Sequence, residues 1–465
     1  MLPGMNDDAH GRALLSAGEW SAAQAYWSAR RPADSTALAN LAAAWHGSGR
    51  HDLAVLTAQA AIRADERDWA GWGALGNALA GHGEFDAAIA AFAQAVRRAP
   101  NHATLLANLA VTCRDAGQPE LAIQALDQAI ALEPGNAQFL TDRAVALLSA
   151  GRLRDGFEAF EQRWQLDDMP AAPFAVPLWR GENPAGLRIG LFEEGGFGDT
   201  LQFVRYAPLL AERGARVVLY VRPPLRRLLS QLPGIEHVVS DDATQTQIGP
   251  LDRQCSLMSL PAAFGTDLHS VPSASWLHAE PASRSTWADR LDALCDDGLR
   301  IGLVWAGQCR AQPHQAAMDR RRSMPLAAMA ALAGPGRHLI SLQIGPEGAQ
   351  LPPPGMELVD LTSQIGDFAD TAALVANLDV VVAVDTSTAH LTASMGVKVL
   401  LLSRYDQCWR WLAGRETSPW YPSLQILRQD RPGDWSGPIA RADRALSALR
   451  PRLRADRLSV EDALA

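Results

Sequence analysis

Apolar and small residues recur along the first third of the chain with amphipathic-helix spacing, and the whole pattern repeats with a 34-residue step. Gly49, Gly83, Gly117 and Gly151 mark that step. Ala54, Ala88 and Ala122 keep it, with Gly156 standing in at the next place, and Pro32, Glu66, Pro100 and Pro134 form a third series. One unit reads Trp72, Leu75, Gly76, Gly83, Ala88, Phe92, Ala95, Pro100. The pattern predicts pairs of short helices, with Gly at a turn that needs positive φ and Pro closing the second helix. One such pair cannot bury its apolar face alone, so neighbours stack into a curved solenoid. Four units are expected over roughly residues 35–168. A shorter pair around Gly18, Ala23 and Trp27, three residues out of phase, reads as a cap.

Beyond Asp167 the texture changes. A Pro- and Ala-rich loop, 168–185, gives way to β-branched runs alternating with helical stretches, the signature of parallel sheets. Arg188–Phe192, Arg216–Val221 and His237–Val239 are expected as strands of a first unit. A break at Val271–Ser285 follows. Arg300–Trp305, Leu339–Ile344, Leu358–Leu361, Asp379–Val384 and Val397–Leu402 are expected as strands of a second, with a tail helix at Pro438–Leu449. The predicted class is therefore α + α/β: a solenoid at 1–168, a linker at 169–185, and two Rossmann-like domains at 186–285 and 286–465. Ligands in such sheets sit beyond the carboxyl ends of the strands, here in the cleft between the two units.

Composition narrows the classes. The 465 residues are 48% hydrophobic and 20% charged, as in globular rather than disordered chains. The net charge of −9 argues against a nucleic-acid partner. No run of about 18 apolar residues predicts a membrane span. Asp7 and Asp8 stand where a signal peptide would be basic, so a cytoplasmic location is expected. Cys113, Cys255, Cys295, Cys309 and Cys408 are scattered without a C-x-x-C pair, which points away from a zinc site or disulfide framework. No structural metal and no cofactor are expected.

Three segments carry candidate chemistry. In Glu193-Glu194-Gly195-Gly196-Phe197-Gly198-Asp199-Thr200 a strand ends, the glycine loop of Gly195, Gly196 and Gly198 turns, and Asp199 opens a helix. A carboxylate there can abstract a proton from a bound hydroxyl, or simply cap the helix. In the second, the valine-rich strand ending at Val384 runs into Asp385-Thr386-Ser387-Thr388-Ala389-His390. A helix N-terminus with free N–H groups suits a diphosphate; capping with a core histidine is the plain alternative. The third is Asp319-Arg320-Arg321-Arg322-Ser323, a basic cluster that could neutralise phosphate or form a solvated face. Arg322 and Ser323, just before an apolar helix start, are the stronger pair. Gln343 at a strand end and Gly307 after Trp305-Ala306 complete the candidate donor-binding set. Trp409, Trp411, Trp420 and Tyr421 read as core or inter-lobe packing, with base or sugar stacking as the alternative.

The repeat, with its W-x-x-L-G start, resembles the tetratricopeptide repeat (TPR). At the sixth place of successive units stand Asn40, Ala74, Asn108 and Asp142. In the repeats of protein O-GlcNAc transferase an Asn ladder at this place holds an extended peptide. The resemblance therefore implies a peptide-binding concave face at Asn40, Asn108 and Asp142, interrupted at Ala74; a solvated polar helix face is the alternative.

The α/β part resembles glycosyltransferase family nine, the ADP-heptose:lipopolysaccharide heptosyltransferases, and more closely the TPR proteins that carry such a domain. Gly198-Asp199 matches the family's G-D motif, and Asp385 to Leu391 matches its D-T-G-x-x-H-L motif, with Ser387 in place of Gly. Gly302 to Gly307, Arg322-Ser323, Asp367 to Ala372 and Ser418 to Pro422 match the TPR relatives. The family's phosphate-contacting lysine has no counterpart between Gln308 and Arg321, so that role passes to an arginine or is lost.

The resemblance implies the two-lobed GT-B fold and an inverting, metal-independent glycosyltransferase. Asp199 would act as base. Gly307, Arg322, Ser323, Gln343, Asp385, Thr386, Ser387, Thr388 and His390 would hold a nucleotide sugar, which is substrate rather than cofactor. A protein acceptor recruited by the repeats is expected, hence protein glycosylation, and an oligomer is compatible. Two alternatives stay open: a non-catalytic TPR scaffold with a degenerate transferase domain, and a lipopolysaccharide or polysaccharide transferase.

Overall fold

The computed structural model describes residues 7–30, 34–240, 249–295, 297–310 and 313–452. They divide into two compact units. The first holds the described residues up to Gly151, with Gln162–Asp167 and Asp406–Ala413. The second holds Arg152–Glu161, Asp168–Tyr405 and the described residues from Gly414 on.

The first unit is an array of antiparallel helices: α1 (Asp7–Ser16), α2 (Trp20–Ala29), α3 (Ser35–Gly47), α4 (His51–Ala64), α5 (Trp69–His82), α6 (Phe85–Arg98), α7 (Ala103–Asp115), α8 (Pro119–Leu132) and α9 (Ala137–Ser149). The turn glycines explain the repeat step. Gly49, Gly83, Gly117 and Gly151 all have φ between 76° and 89°, a region an L side chain avoids. Gly18 has φ 72°, so the out-of-phase pair uses the same turn. Asp34, Asp68 and Asn136 cap α3, α5 and α9 through their side-chain oxygens. At Gly76 a Cβ would sit 2.8 Å from Phe92, which is why the paired helices need a residue without one. The early packing is alanine-rich, with Ala39, Ala42, Ala58, Ala61 and Ala74 in one cluster. Leu105, Leu106, Ile123, Leu126, Phe139 and Leu147 fill the later repeats.

The expected solenoid boundary differs in two respects. α10 (Leu153–Phe160), second helix of the fourth pair, belongs to the second unit, where Phe157 meets Phe203 and Trp420 edge-on at 6.1 Å each. Asp406–Ala413, far along the chain, belongs to the first unit, where Ala413 N–H donates to Ser149 O at 2.8 Å.

The second unit contains two wholly parallel sheets. β1 (Arg188–Phe192), β2 (Arg216–Tyr220), β3 (Ile235–Val239) and β4 (Arg253–Ser256) form the order β3-β2-β1-β4. β5 (Leu299–Val304), β6 (Arg337–Ser341), β7 (Leu358–Asp360), β8 (Val380–Val384), β9 (Lys398–Ser403) and β10 (Leu424–Arg428) form the order β10-β9-β8-β5-β6-β7. The latter is the doubly wound order, and its direction of winding reverses between β5 and β8. Every residue of β1, β5 and β8 is buried, as parallel strands covered on both faces must be. This tandem arrangement is the expected GT-B class. The tail helix, Ser436–Ser447, packs Ile439, Ala442 and Leu446 into the second core.

The stretch expected as a linker is packed. Gln254 of β4 accepts the Phe174 N–H at 3.1 Å and donates to Val176 O at 2.7 Å, and Phe174 and Trp179 are buried. Two strands, β4 and β10, were not expected, and β6 ends three residues short of the expected Ile344. A side chain replaces its last ladder bonds: Gln343 Oε1 accepts Trp305 N–H at 3.0 Å and Ala306 N–H at 2.8 Å.

Candidate active site

The first loop leaves β1 beside β4, where the winding of the first sheet reverses. Both carboxylates at its start are tied down. Glu193 accepts from Arg222 N at 2.9 Å, from the Arg222 guanidinium, and from Thr200 Oγ at 2.9 Å. Glu194 accepts from Ser256 Oγ at 2.6 Å. Gly195 has φ 82°, and a Cβ there would collide with the Asp199 carboxylate. α11 (Phe197–Phe203) follows, and half-buried Asp199 accepts the Gly196 N–H on Oδ2 at 2.7 Å. Asp199 is therefore not the N-cap, which is Gly196, but the third helical residue, whose carboxylate takes the N-cap N–H.

The second loop leaves β8 beside β5. Thr386 is the N-cap of the helix Ser387–Ser394 and makes no side-chain cap bond; its hydroxyl donates to Val384 O at 3.1 Å. Asp385, Thr386, Ser387 and Thr388 are partly exposed. Arg322, at the end of the helix Pro313–Arg322, donates from Nη1 to Asp385 O at 3.2 Å and pairs through Nη2 with Asp319 at 2.8 Å. Gly307 lies beneath it, because a Cβ would run into the guanidinium, and its N–H donates to Ser323 Oγ at 3.1 Å. Burial alone would raise the Asp319 carboxyl, but Arg310 and Arg322 hold it below its ordinary range. Asp319 is thus the buried anchor of the basic cluster.

Two expected donor ligands sit differently from that expectation. His390 is 3% exposed. Its Nδ1 lies 2.8 Å from the Tyr421 hydroxyl and its Nε2 lies 3.8 Å from Asp385 Oδ1. Its ring packs on Gly198, where a Cβ would stand 2.9 Å from Cδ2. His390 therefore joins the two sheets rather than facing solvent. Gln343 is 5% exposed and spends its amide on the ends of β5 and β6, donating to Ala306 O at 3.1 Å besides accepting two N–H groups.

Through Gly198 and His390 the structure brings Asp199 and the Asp385 turn together, with Arg322, Ser323 and Gly307 on the second sheet's side. Further groups clamp the first loop. Phe197 meets Phe368 at 5.1 Å and the Arg222 guanidinium at 4.1 Å, and Arg227 pairs with Asp367 and Asp370. Asp367 also caps the helix Phe368–Val375, accepting from Ala369 N and Asp370 N. Sequence reasoning passed over Arg205, Arg222 and Arg227; the only local signal is that Arg205 follows α11, Arg222 stands just before the helix Pro223–Leu229 and Arg227 lies within it.

Asn40, Asn108 and Asp142 lie half-buried in the first helices of their pairs, α3, α7 and α9. Asn108 Nδ2 is 3.4 Å from Asn77 Oδ1. Burial raises the Asp142 carboxyl above its ordinary range; Gln138 and Arg114 oppose the shift and Asp115 reinforces it. Among the described residues no group of three or more His, Cys, Asp or Glu could hold a metal ion, and no helix is long and apolar enough to cross a membrane.

Residues 74–136 and 114–175 each match the tetratricopeptide repeat family model, so this part of the chain carries TPR repeats. The chain is 26% identical over 449 residues to Protein FlbA of Caulobacter vibrioides, covering 91% of this chain and 74% of that protein. Among solved structures, a glycosyl transferase family 9 protein from Veillonella parvula is 13% identical, covering 54% of this chain and 88% of that one, with a TM-score of 0.39. A thermophilic TPR protein of Thermus thermophilus is 23% identical, covering 35% of this chain and 90% of that one, with a TM-score of 0.32.

Proposed function

We propose that this chain is an inverting, metal-independent glycosyltransferase that moves a sugar from a nucleotide-sugar donor to a hydroxyl of a protein held by the TPR array. One observation carries the reading. The glycine loop bearing Asp199 and the turn bearing Asp385 leave two different parallel sheets at their winding reversals, and they meet where Gly198 packs on His390. The donor diphosphate docks at the start of the helix Ser387–Ser394, with Arg322 beside it. Helix-end N–H groups and the guanidinium stabilise the charge that grows as the nucleotide leaves. Asp199 takes the acceptor proton as the hydroxyl attacks the anomeric carbon from the opposite side. To do so its carboxylate exchanges the Gly196 N–H for the substrate hydroxyl.

The test is calorimetry of the full chain with ADP-, UDP- and GDP-sugars, followed by mass shifts on co-expressed proteins. Binding and transfer by the wild type, with transfer lost and binding kept in Asp199→Asn, is the expected result; undiminished transfer by Asp199→Asn removes the base. The scaffold reading is favoured by the missing lysine, by the interrupted Asn ladder and by the Asp199–Gly196 bond, which gives that carboxylate a structural task. Silence across the donor panel selects it.

A further inference from the structure

His390 is held by groups that take no part in the surface of the site. Its partner Tyr421 is 1% exposed, and the two rings meet edge-on at 5.6 Å. The Arg205 guanidinium, itself buried, lies 4.7 Å from the Tyr421 ring centroid, 3.9 Å from that of Trp276 and 5.4 Å from that of Trp420. Its Nη1 donates to Pro272 O at 2.7 Å and Trp420 O at 2.8 Å, and its Nε to Gln202 O at 2.7 Å. Arg205 follows α11 of the first sheet, whereas Trp420 and Tyr421 precede β10 of the second. A cation fixed beside a phenol makes its hydroxyl a better hydrogen-bond donor.

We propose, building on the transferase reading above, that Tyr421 is a positioning residue: its hydroxyl donates to His390 Nδ1, so the ring keeps its proton on Nε2, and that N–H tethers the Asp385 carboxylate away from the start of the helix Ser387–Ser394. The other ring nitrogen of a histidine is set by the bond the first one makes. Nε2 and Asp385 Oδ1 are 3.8 Å apart, so the tether works as a charge–dipole attraction that a small rotation turns into a hydrogen bond. The Asp385 main chain is held separately, through Arg322 Nη1 on its carbonyl, so only the carboxylate is left to be steered. Released, that carboxylate would stand over the same helix end that a diphosphate needs, and like charges at such range repel strongly. The tether therefore requires the proton on Nε2, a tautomer supported from the buried side by Tyr421 and Arg205.

Tyr421→Phe keeps the ring and removes only the hydroxyl. Two measurements read its effect on the full chain. Nitrogen-15 NMR of labelled histidines, with His390→Gln to assign the signal, is expected to show the Nε2–H tautomer in the wild type and a shift toward Nδ1–H in Tyr421→Phe. Titration with UDP, ADP and GDP is expected to show affinity for the best of the three falling about tenfold in Tyr421→Phe. In an Asp385→Asn background, where there is no charge to steer, the same change leaves affinity unaltered; a merely structural loss would persist there. A wild-type ring protonated on Nδ1, an unmoved ring in Tyr421→Phe, or an undiminished affinity in that variant overturns the tether. If the wild type itself binds none of the three nucleotides, the transferase reading falls and takes the proposal with it, whereas a wild type that binds beside an indifferent Tyr421→Phe sinks the tether alone.

Discussion

Gly198→Ala asks directly whether the two loops touch. A methyl group there would stand 2.9 Å from His390 Cδ2 and 3.4 Å from Nε2. The first distance is well inside ordinary carbon contact, so something must yield. The imidazole cannot easily do so, because Tyr421 holds Nδ1 at 2.8 Å and Asp385 lies beyond Nε2. Forcing a methyl into a packed joint costs ~1–3 kcal/mol. Gly196→Ala is the matched control. That glycine has φ −91° and ψ 172°, which alanine adopts freely, and its nearest neighbour would be the Asp199 carboxylate at 3.6 Å. Because Gly196 is the N-cap of α11, where alanine is the poorer residue, a loss of about 0.5 kcal/mol is expected, below that of Gly198→Ala. Thermal and urea unfolding of both variants, with His390→Ala added as the second arm of a double-mutant cycle, gives the coupling. The Gly198→Ala penalty should shrink when His390 is cut back. Equal stability of the two glycine variants, or a penalty indifferent to His390, would refute the joint between the sheets.

Three further outcomes follow from particular groups. Burial first, then the neighbouring charge of His51, lowers the His46 pKa from 6.5 to about 4. The folded array thus refuses a proton that the unfolded chain accepts; stability is full above pH 6.5, falls as pH drops toward 4, and levels below, by about 3 kcal/mol in all. Urea midpoints against pH should show this slope and lose most of it in His46→Gln. The alanine-built packing around α3, α4 and α5 buries fewer methylenes per residue than the leucine and phenylalanine packing of α7 to α9, at ~0.8 kcal/mol for each. Hydrogen exchange should therefore report faster opening of α3 to α5, and equal protection across the array would contradict the ledger. Arg227, which pairs with Asp367 and Asp370, has a side chain 44% exposed. Arg227→Met is expected to cost no more than about 1 kcal/mol, less at high salt; a larger loss in thermal unfolding would mean that the pair does more than decorate the joint.

The repeat was legible because its cause is local. A left-handed turn admits Gly almost alone, so Gly49, Gly83, Gly117 and Gly151 print the step into the chain. The fully buried strands β1, β5 and β8 were legible for a similar reason: a parallel strand covered on both faces reads as an unbroken apolar run. What was not legible depends on partners far away in sequence. β4 is the polar string Arg253-Gln254-Cys255-Ser256, a strand only because β1 lies beside it and Phe174 and Val176 satisfy the Gln254 amide. β6 looks longer than it is because Gln343 substitutes for its last ladder bonds. No local pattern announces that.

His390 shows the limit most clearly. Its position in the first turn of a helix suggested a ligand-facing ring, since a helix start is where anions bind. But a helix has several faces, and its sequence does not say which one another sheet will cover. Gly198, close to two hundred residues earlier, lacks the Cβ that would have kept the ring out, and Tyr421 closes the far side. Turned inward, the ring lies between Gly198 and Tyr421, with Asp385 at its other nitrogen. The same logic applies to Asp199, whose cap bond to Gly196 and expected work as a base compete for one oxygen. A residue can thus be placed correctly by its motif while its task is decided by whichever neighbour the tertiary fold sets against it.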